Sequence, residues 1–195
     1  MKVLRRTETA LSFPKLLIEQ SVEKTLAEER QRAFTYQLVM GTLRRRGTLD
    51  WALGKVCDVP LDGLTPWIRN ILRMGLFQIL YLDRVPDYAA VSEAVRMAGS
   101  VEKGRWSSSV NAILRRVQSE RNNLPWPSRS KNLQRFLRIR YSHPAWLVKV
   151  LLREHGPCVT EEILKSNNRR PKLTIRCNTL KVRHVDLRSR LEKEG

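Results

Sequence analysis

Hydrophobic positions are densest in residues 65–101, TPWIRNILRMGLFQILYLDRVPDYAAVSEAVRMAGSV. Thr65 suits a helix cap and Pro66 the first turn behind it, where a missing N–H would have no partner anyway. Apolar side chains then point in nearly every direction: Trp67, Ile68, Ile71, Leu72, Met74, Leu76, Phe77, Ile79, Leu80 and Leu82. A helix apolar all round leaves no face for water and is expected at the centre of a bundle. Gly75 is about 1 kcal/mol worse than Ala inside a helix, so close approach of a neighbouring helix is its expected reason. Pro86 ends this helix by restricting the residue before it. A second helix from Pro86 and Asp87 presents Ala90, Val91, Ala94, Val95 and Ala98, a face of small side chains that should fold back on the first.

The flanking patterns are also helical. Residues 1–8 read as the tail of a helix, and residues 13–26 carry Leu16, Leu17, Val22 and Leu26 on a broad apolar face. A longer helix is expected over 27–46, with Gly41 admitting a neighbour and Gly47 ending it. A short helix over 48–57 offers Leu49, Trp51, Ala52, Leu53 and Val56 to the core. Trp51 and Trp67 could stack on bases, but their aliphatic neighbours at helical spacing point to the core. After the hairpin and a basic turn at 102–105, a helix over 110–119 buries Val110, Ile113, Leu114 and Val117, capped by one of the serines at 107–109. In residues 122–130, NNLPWPSRS, Pro125 and Pro127 hold Trp126 in an extended segment. The bundle is expected to end there, dividing the chain into 1–125 and 126–195. A helix over 131–141 sets Leu133, Phe136, Leu137 and Ile139 against a face of Lys131, Arg135, Arg138 and Arg140. Another starts at Pro144 and stops at Gly156–Pro157, followed by a short one over 159–165. Alternation and β-branching begin only at 171–178, PKLTIRCN, the one expected strand, before a last helix over 184–194. The fold class is therefore all-α, with the first strand and helix of an incomplete α/β subdomain at the end.

Charge changes the picture more than composition does. The chain has 37 Lys and Arg against 19 Asp and Glu, a net charge of +18 over 195 residues. Such an excess favours a polyanionic partner, nucleic acid before an anionic membrane surface. No apolar run approaches the roughly 20 residues of a membrane span, and the N-terminus lacks the apolar centre of a signal peptide. The cytoplasm is the expected location. Cys57, Cys158 and Cys177 are odd in number and far apart, and His143, His155 and His184 show no ligand spacing. Neither a disulfide framework nor a metal site is expected.

The stretch LRMGLFQILYLDRVPDYAAVSEAV resembles the core hairpin of the NusB-like domain, an all-helical RNA-binding fold. It is closer still to the copy at the N-terminus of the RsmB/Sun (Fmu) family of ribosomal RNA 5-methylcytosine methyltransferases. GTLRRRGTLDWAL and SSVNAILRRV take the flanking positions of that pattern. SHPAWLVKVLLREHG, PKLTIRCNTLK and the helix ending EKEG resemble the segment leading to the catalytic part, which free-standing NusB does not have. The family's glycine-phenylalanine-valine-asparagine approach to the last bundle helix is SSSVN here, while Asn111, Leu114 and Arg115 keep the pattern. The resemblance implies a first helix that starts further upstream. It also implies S-adenosylmethionine in a glycine-rich turn and a cysteine thiolate attacking cytosine C6. No two glycines here are separated by one residue. Pro157–Cys158 lacks the usual acidic neighbour and precedes any cofactor fold. Catalysis by this chain alone is therefore not expected; cofactor and chemistry should belong to a domain beyond Gly195.

The expected function is recognition of small-subunit rRNA on behalf of such a catalytic domain. The alternative is a stand-alone NusB-like antitermination factor with a ribosomal protein partner; a third reading is a basic helical protein of generic nucleic-acid affinity. Arg44, Arg45 and Arg46 have two open readings: cations at a helix C-terminus, or contacts to RNA phosphate. Arg105, Arg115, Arg116, Arg138 and Arg140 are further phosphate candidates. Asn111 is either a tie between the preceding loop and its helix or an RNA contact.

Overall fold

One helix, α5 (Pro66–Tyr81), is almost wholly enclosed: Ile68 and every side chain from Asn70 to Ile79 are buried. This is the expected outcome of its all-round apolar pattern. The computed structural model describes residues 1–9, 13–23, 28–169 and 174–194. Around α5 stand α1 (Lys2–Thr9), α2 (Pro14–Glu23), α3 (Glu29–Arg44), α4 (Arg46–Val56), α6 (Asp87–Gly99) and α7 (Ser107–Glu120). Helix α5 packs on α1, α3, α4, α6 and α7, and α6 also packs along α7. Beyond a linker come α8 (Leu133–Tyr141), α9 (Ala145–Asn167) and α10 (His184–Glu194). The main core joins Leu49, Leu53, Ile68, Leu72, Leu76, Ala94, Val110 and Leu114, and Leu124 of the linker still belongs to it.

Two glycines set the helix spacing as expected. A Cβ on Gly41 would lie 2.1 Å from Cζ of Phe77, and one on Gly75 would lie 2.7 Å from Cδ1 of Leu114. Real carbon atoms do not approach so closely, so α3 and α7 reach α5 only because these positions carry hydrogen.

Several local expectations change. Helix α3 breaks at Arg45 (φ −97°, ψ 7°) rather than at Gly47, and α4 begins directly at Arg46. Gly47 lies inside the first turn of α4, where its N–H donates to Ser142 Oγ at 2.8 Å. Thr65 occupies the cap position of α5, but its hydroxyl donates to Glu102 instead of capping. Trp106, not a serine, precedes α7, whose first turn holds the serines. Among the described side chains of α2 the buried one is Ile18, whereas Leu16 is exposed; the Val22 side chain and Leu26 lie outside the described residues. The chain turns sharply at Gly156 (φ 69°), so α9 is two arms, in keeping with the stop expected at Gly156–Pro157. No strand forms among the described residues: residues 174–178 have no regular structure, and 171–173 lie outside them. A strand needs a neighbour for its backbone N–H and C=O groups, and no described segment supplies one.

The hydrophobic pattern carried no sign of a polar network inside this apolar frame. Arg73 on α5 is 5% exposed. Its Nε and Nη2 donate to Asp50 Oδ1 and Oδ2 at 2.6 and 2.8 Å, and its Nη1 to Glu8 Oε1 at 3.1 Å. Asn70 Nδ2 donates to Glu8 Oε2 at 2.8 Å, and Arg69 pairs with Glu8 at 2.8 Å. Helices α1, α4 and α5 are thus locked through one guanidinium. Burial alone would raise the Glu8 carboxyl, yet Arg73, Asn70 and Arg69 outweigh it and hold the group below its ordinary value.

Substitutions probe both the packing and the buried charge. Gly41→Ala should cost about 1–3 kcal/mol of stability by overpacking, while Gly54→Ala should gain about 0.5–1 kcal/mol, because nothing lies within 4 Å of the Cβ it adds. Denaturant midpoints of the two variants check this. Glu8 stabilises the fold fully above the unfolded carboxylate pKa of about 4.3, and the gain is lost as pH falls through its lower folded value. Glu8→Gln should therefore be about 1–3 kcal/mol less stable than the parent at pH 7 and converge with it as the medium is acidified. A gap that stayed constant with pH would contradict this.

Candidate nucleic-acid interface

The first turn of α4 is fastened to the end of α8. Thr48 Oγ1 donates to the Ile139 carbonyl at 2.5 Å, beside the Gly47–Ser142 bond. A Cβ on Gly47 would lie 3.2 Å from Ser142 Oγ, so this approach too depends on a glycine. The seam brings the 44–46 run close to Arg138 and Arg140, which lie about ninety positions away along the chain. Because the α3–α4 break falls within the run, the three arginines do not wind around a single helix. Arg45 lies over the Tyr81 ring, 4.9 Å from its centroid. At the α8–α9 corner, burial pushes the His143 imidazole below its ordinary value, a bond to the Tyr141 backbone opposes this, and the Arg45 charge adds to the lowering. Arg46, Arg138 and Arg140 are exposed and Arg44 is half-buried. None of these four pairs with a described carboxylate.

The other candidates stand elsewhere. Arg116 lies against the far end of α4, donating to the Val56 carbonyl at 3.4 Å and to Glu120 at 3.2 Å. At 1.5 Å per residue that is roughly 15 Å along α4 from Arg46. Arg115 donates to Asn111 Oδ1 at 3.0 Å, so Asn111 holds an arginine on its own helix rather than tying down the loop before it. Arg105 is exposed at the start of α7, about 15 Å along the helix from Arg115, with its guanidinium 5.9 Å from the neighbouring Trp106 ring. The nine candidates therefore fall into three groups, of which the α4–α8 seam is the largest.

The structure adds a feature that the reading of single motifs missed. Trp51 is half-buried, stacked on Trp126 with ring centroids 4.5 Å apart and planes at 27°. Between α4, the linker and α8 lies a cleft of about 430 Å³, lined among others by Trp51, Asn132, Arg135 and Arg138. A smaller recess of about 190 Å³ shares Trp51, Asn132 and Arg135 and adds Lys55 and Lys131. The available signal was the pairing of a proline-bracketed Trp126 with a basic helix face just behind it.

Among the described residues none forms a fit for S-adenosylmethionine. No Gly-x-Gly turn exists, and no strand among the described residues could carry one. Cys158 is exposed in the second arm of α9. Burial and the neighbouring Asp58 push the Cys57 thiol up to about 11, with Arg116 opposing, so it stays protonated.

A model of the NusB family matches residues 1–119. The chain belongs to the NusB family. Residues 143–195 match the ferredoxin-like domain of RsmF/B-like methyltransferases. Over its whole length this NusB-family chain is 30% identical to the probable ribosomal RNA small subunit methyltransferase B of Bacillus subtilis, of which it covers 43%. It is 31% identical over 189 residues to the corresponding probable methyltransferase B of Synechocystis, covering 95% of this chain and 41% of that protein. With the ribosomal RNA small subunit methyltransferase B of Proteus mirabilis it shares 31% identity over 169 residues, covering 86% of this chain and 38% of the relative. The chain thus spans about two fifths of the length of the curated relatives it matches. Among solved structures, the crystal structure of PH0851 matches with a TM-score of 0.68 at 20% identity, covering 99% of this chain and 43% of that one. That likeness speaks to the fold alone. No helix among the described residues is long and apolar enough to cross a membrane.

The seam can be tested directly. Thr48→Val keeps the side-chain shape and removes the bond to Ile139, so stability should fall by about 1–2 kcal/mol in urea unfolding. An unchanged midpoint would mean that the Thr48–Ile139 bond adds nothing to the Gly47–Ser142 bond and the apolar contacts that hold α8.

Proposed function

We propose that this NusB-family chain is the RNA-gripping part of a small-subunit rRNA cytosine-C5 methyltransferase. Residues 1–125 form the NusB-like unit, and residues 126–195 form the linker helices and the start of the ferredoxin-like subdomain. The observation that carries this reading is the α4–α8 seam, where Arg44, Arg46, Arg138 and Arg140 stand without described carboxylate partners on a chain of net charge +18. Cations fixed to rigid helices bind phosphate and set the register of an RNA without reading its bases. S-adenosylmethionine and the nucleophilic cysteines would belong to a catalytic domain in the same enzyme, acting in the cytoplasm on RNA held here.

A second reading, a free-standing NusB-like antitermination factor with a ribosomal protein partner, draws on the match of residues 1–119 taken alone. The match of residues 143–195 to a methyltransferase-associated domain speaks for the first.

RNA affinity should fall steeply with salt, the log–log slope changing by about 0.7–0.9 for each phosphate neutralised. The double variant Arg46→Ala/Arg140→Ala should flatten that slope by roughly 1.5 and leave the circular dichroism spectrum unchanged. Arg115→Ala/Arg116→Ala should weaken binding less, because Arg116 already has acidic partners. A salt-independent affinity would overturn the phosphate reading, and equal losses in the two double variants would remove the seam's priority.

A further inference from the structure

We infer that the cleft between α4, the 121–132 linker and α8 binds an unpaired RNA segment, with a phosphate between Arg135 and Arg138 and a base beside the Trp51 indole. The inference rests on the RNA-binding reading above and adds the conformational class of RNA and the place where it sits.

The two recesses share Trp51, Asn132 and Arg135 and so adjoin each other, with Lys55 lining one and Arg138 the other. The larger, about 430 Å³, lies within the roughly 300–1,000 Å³ common for small-ligand sites, enough for a nucleotide. Lys55, Lys131, Arg135 and Arg138 line them and no lining residue is acidic. None of the four cations has a described carboxylate partner. Four positive charges around adjoining recesses repel one another, and a phosphodiester chain relieves that repulsion. Arg135 and Arg138 stand three residues apart on one side of α8, the spacing at which two side chains can reach the same group.

The walls are held in place before any ligand arrives. Asn132 Oδ1 accepts the Arg135 N–H at 2.8 Å and caps α8, which fixes the backbone under the guanidinium. Trp126 stacks on Trp51, and Pro125 and Pro127 stiffen the linker beside it. An aromatic wall with guanidinium groups around it is the surface that binds single-stranded nucleic acid, by stacking and by tracking the backbone. Bases in a duplex are stacked on each other and cannot enter a recess of this kind, so the occupant is an unpaired strand. A planar aromatic wall offers an acidic peptide nothing comparable.

The test uses the full chain, fluorescein-labelled decauridylate and a duplex RNA of equal length, with anisotropy read over a salt series. Arg135→Ala/Arg138→Ala should weaken decauridylate binding about tenfold and flatten its salt slope by about 0.7, the value for the one phosphate held between them. Duplex binding should change no more than threefold or so. Trp51→Phe should keep most of the affinity and reduce the tryptophan quenching caused by decauridylate. Arg135→Gln/Arg138→Gln repeats the charge loss with a longer side chain, guarding against a folding defect in the alanine pair. If both arginine pairs bind decauridylate like the parent while Arg46→Ala/Arg140→Ala is weakened, the cleft is refuted and the RNA reading stands. If the parent binds neither RNA, both fall. Displacement of decauridylate by polyglutamate at equal charge would reduce the cleft to a generic anion site and overturn the inference.

Discussion

The structure depends on one buried guanidinium. Arg73 sits on the most enclosed helix of the bundle, where an unpaired cation would be intolerable. Its fork is filled by Asp50 from α4 and Glu8 from α1, and Asn70 and Arg69 complete the shell of Glu8. The geometry of a bidentate pair allows little freedom, so the positions of α1 and α4 follow from it. Helix α4 in turn carries Gly47 and Thr48, which hold α8, and α8 carries the arginines of the outer surface. A charge inside the protein thereby decides where charges outside it stand.

Much of the fold was legible in the sequence because burial of apolar surface, the main force driving the helices together, leaves its mark as periodicity. The all-round apolar stretch of α5, the small-residue face of α6 and the glycines that admit α3 and α7 all needed only residue size and spacing. The break at Arg45 was not legible. Arg-Arg-Arg-Gly is compatible with a helix end at any of its positions, and a contact with Ser142, remote in the chain, decides the matter. Arg73, Asp50 and Glu8 each look like ordinary surface residues, and only the packed helices bring them together. Residues 174–178 of the expected strand are irregular for a simpler reason: alternation marks a segment able to pair, and pairing needs a second segment.

The candidate interface divides in the same way. Its charge was plain from composition, and the individual arginines could be named, but their grouping could not. Proximity of Arg46 and Arg140 comes from two hydrogen bonds of the α4–α8 seam, and the cleft beside Trp51 from a proline-bracketed tryptophan folding back on the bundle. Asn111 shows the reverse case: the polar residue was noticed, but its partner is Arg115 on the same helix.

The corner at Gly156 has a mechanical consequence. With a positive φ and nothing within 4 Å of a Cβ there, the chain turns and lays the second arm of α9 back along α8. Leu164 joins Leu137, Tyr141 and Val148 in a small core of its own, and Glu161 takes a bond from Tyr141 and another from Arg129. Two arms braced across a bend act as a bracket rather than a tether. The departure direction of the chain at Asn168, itself bonded to the Tyr141 carbonyl, is inherited from the bundle. A load at Asn168 would reach α4 through α8 as a displacement of the braced arms.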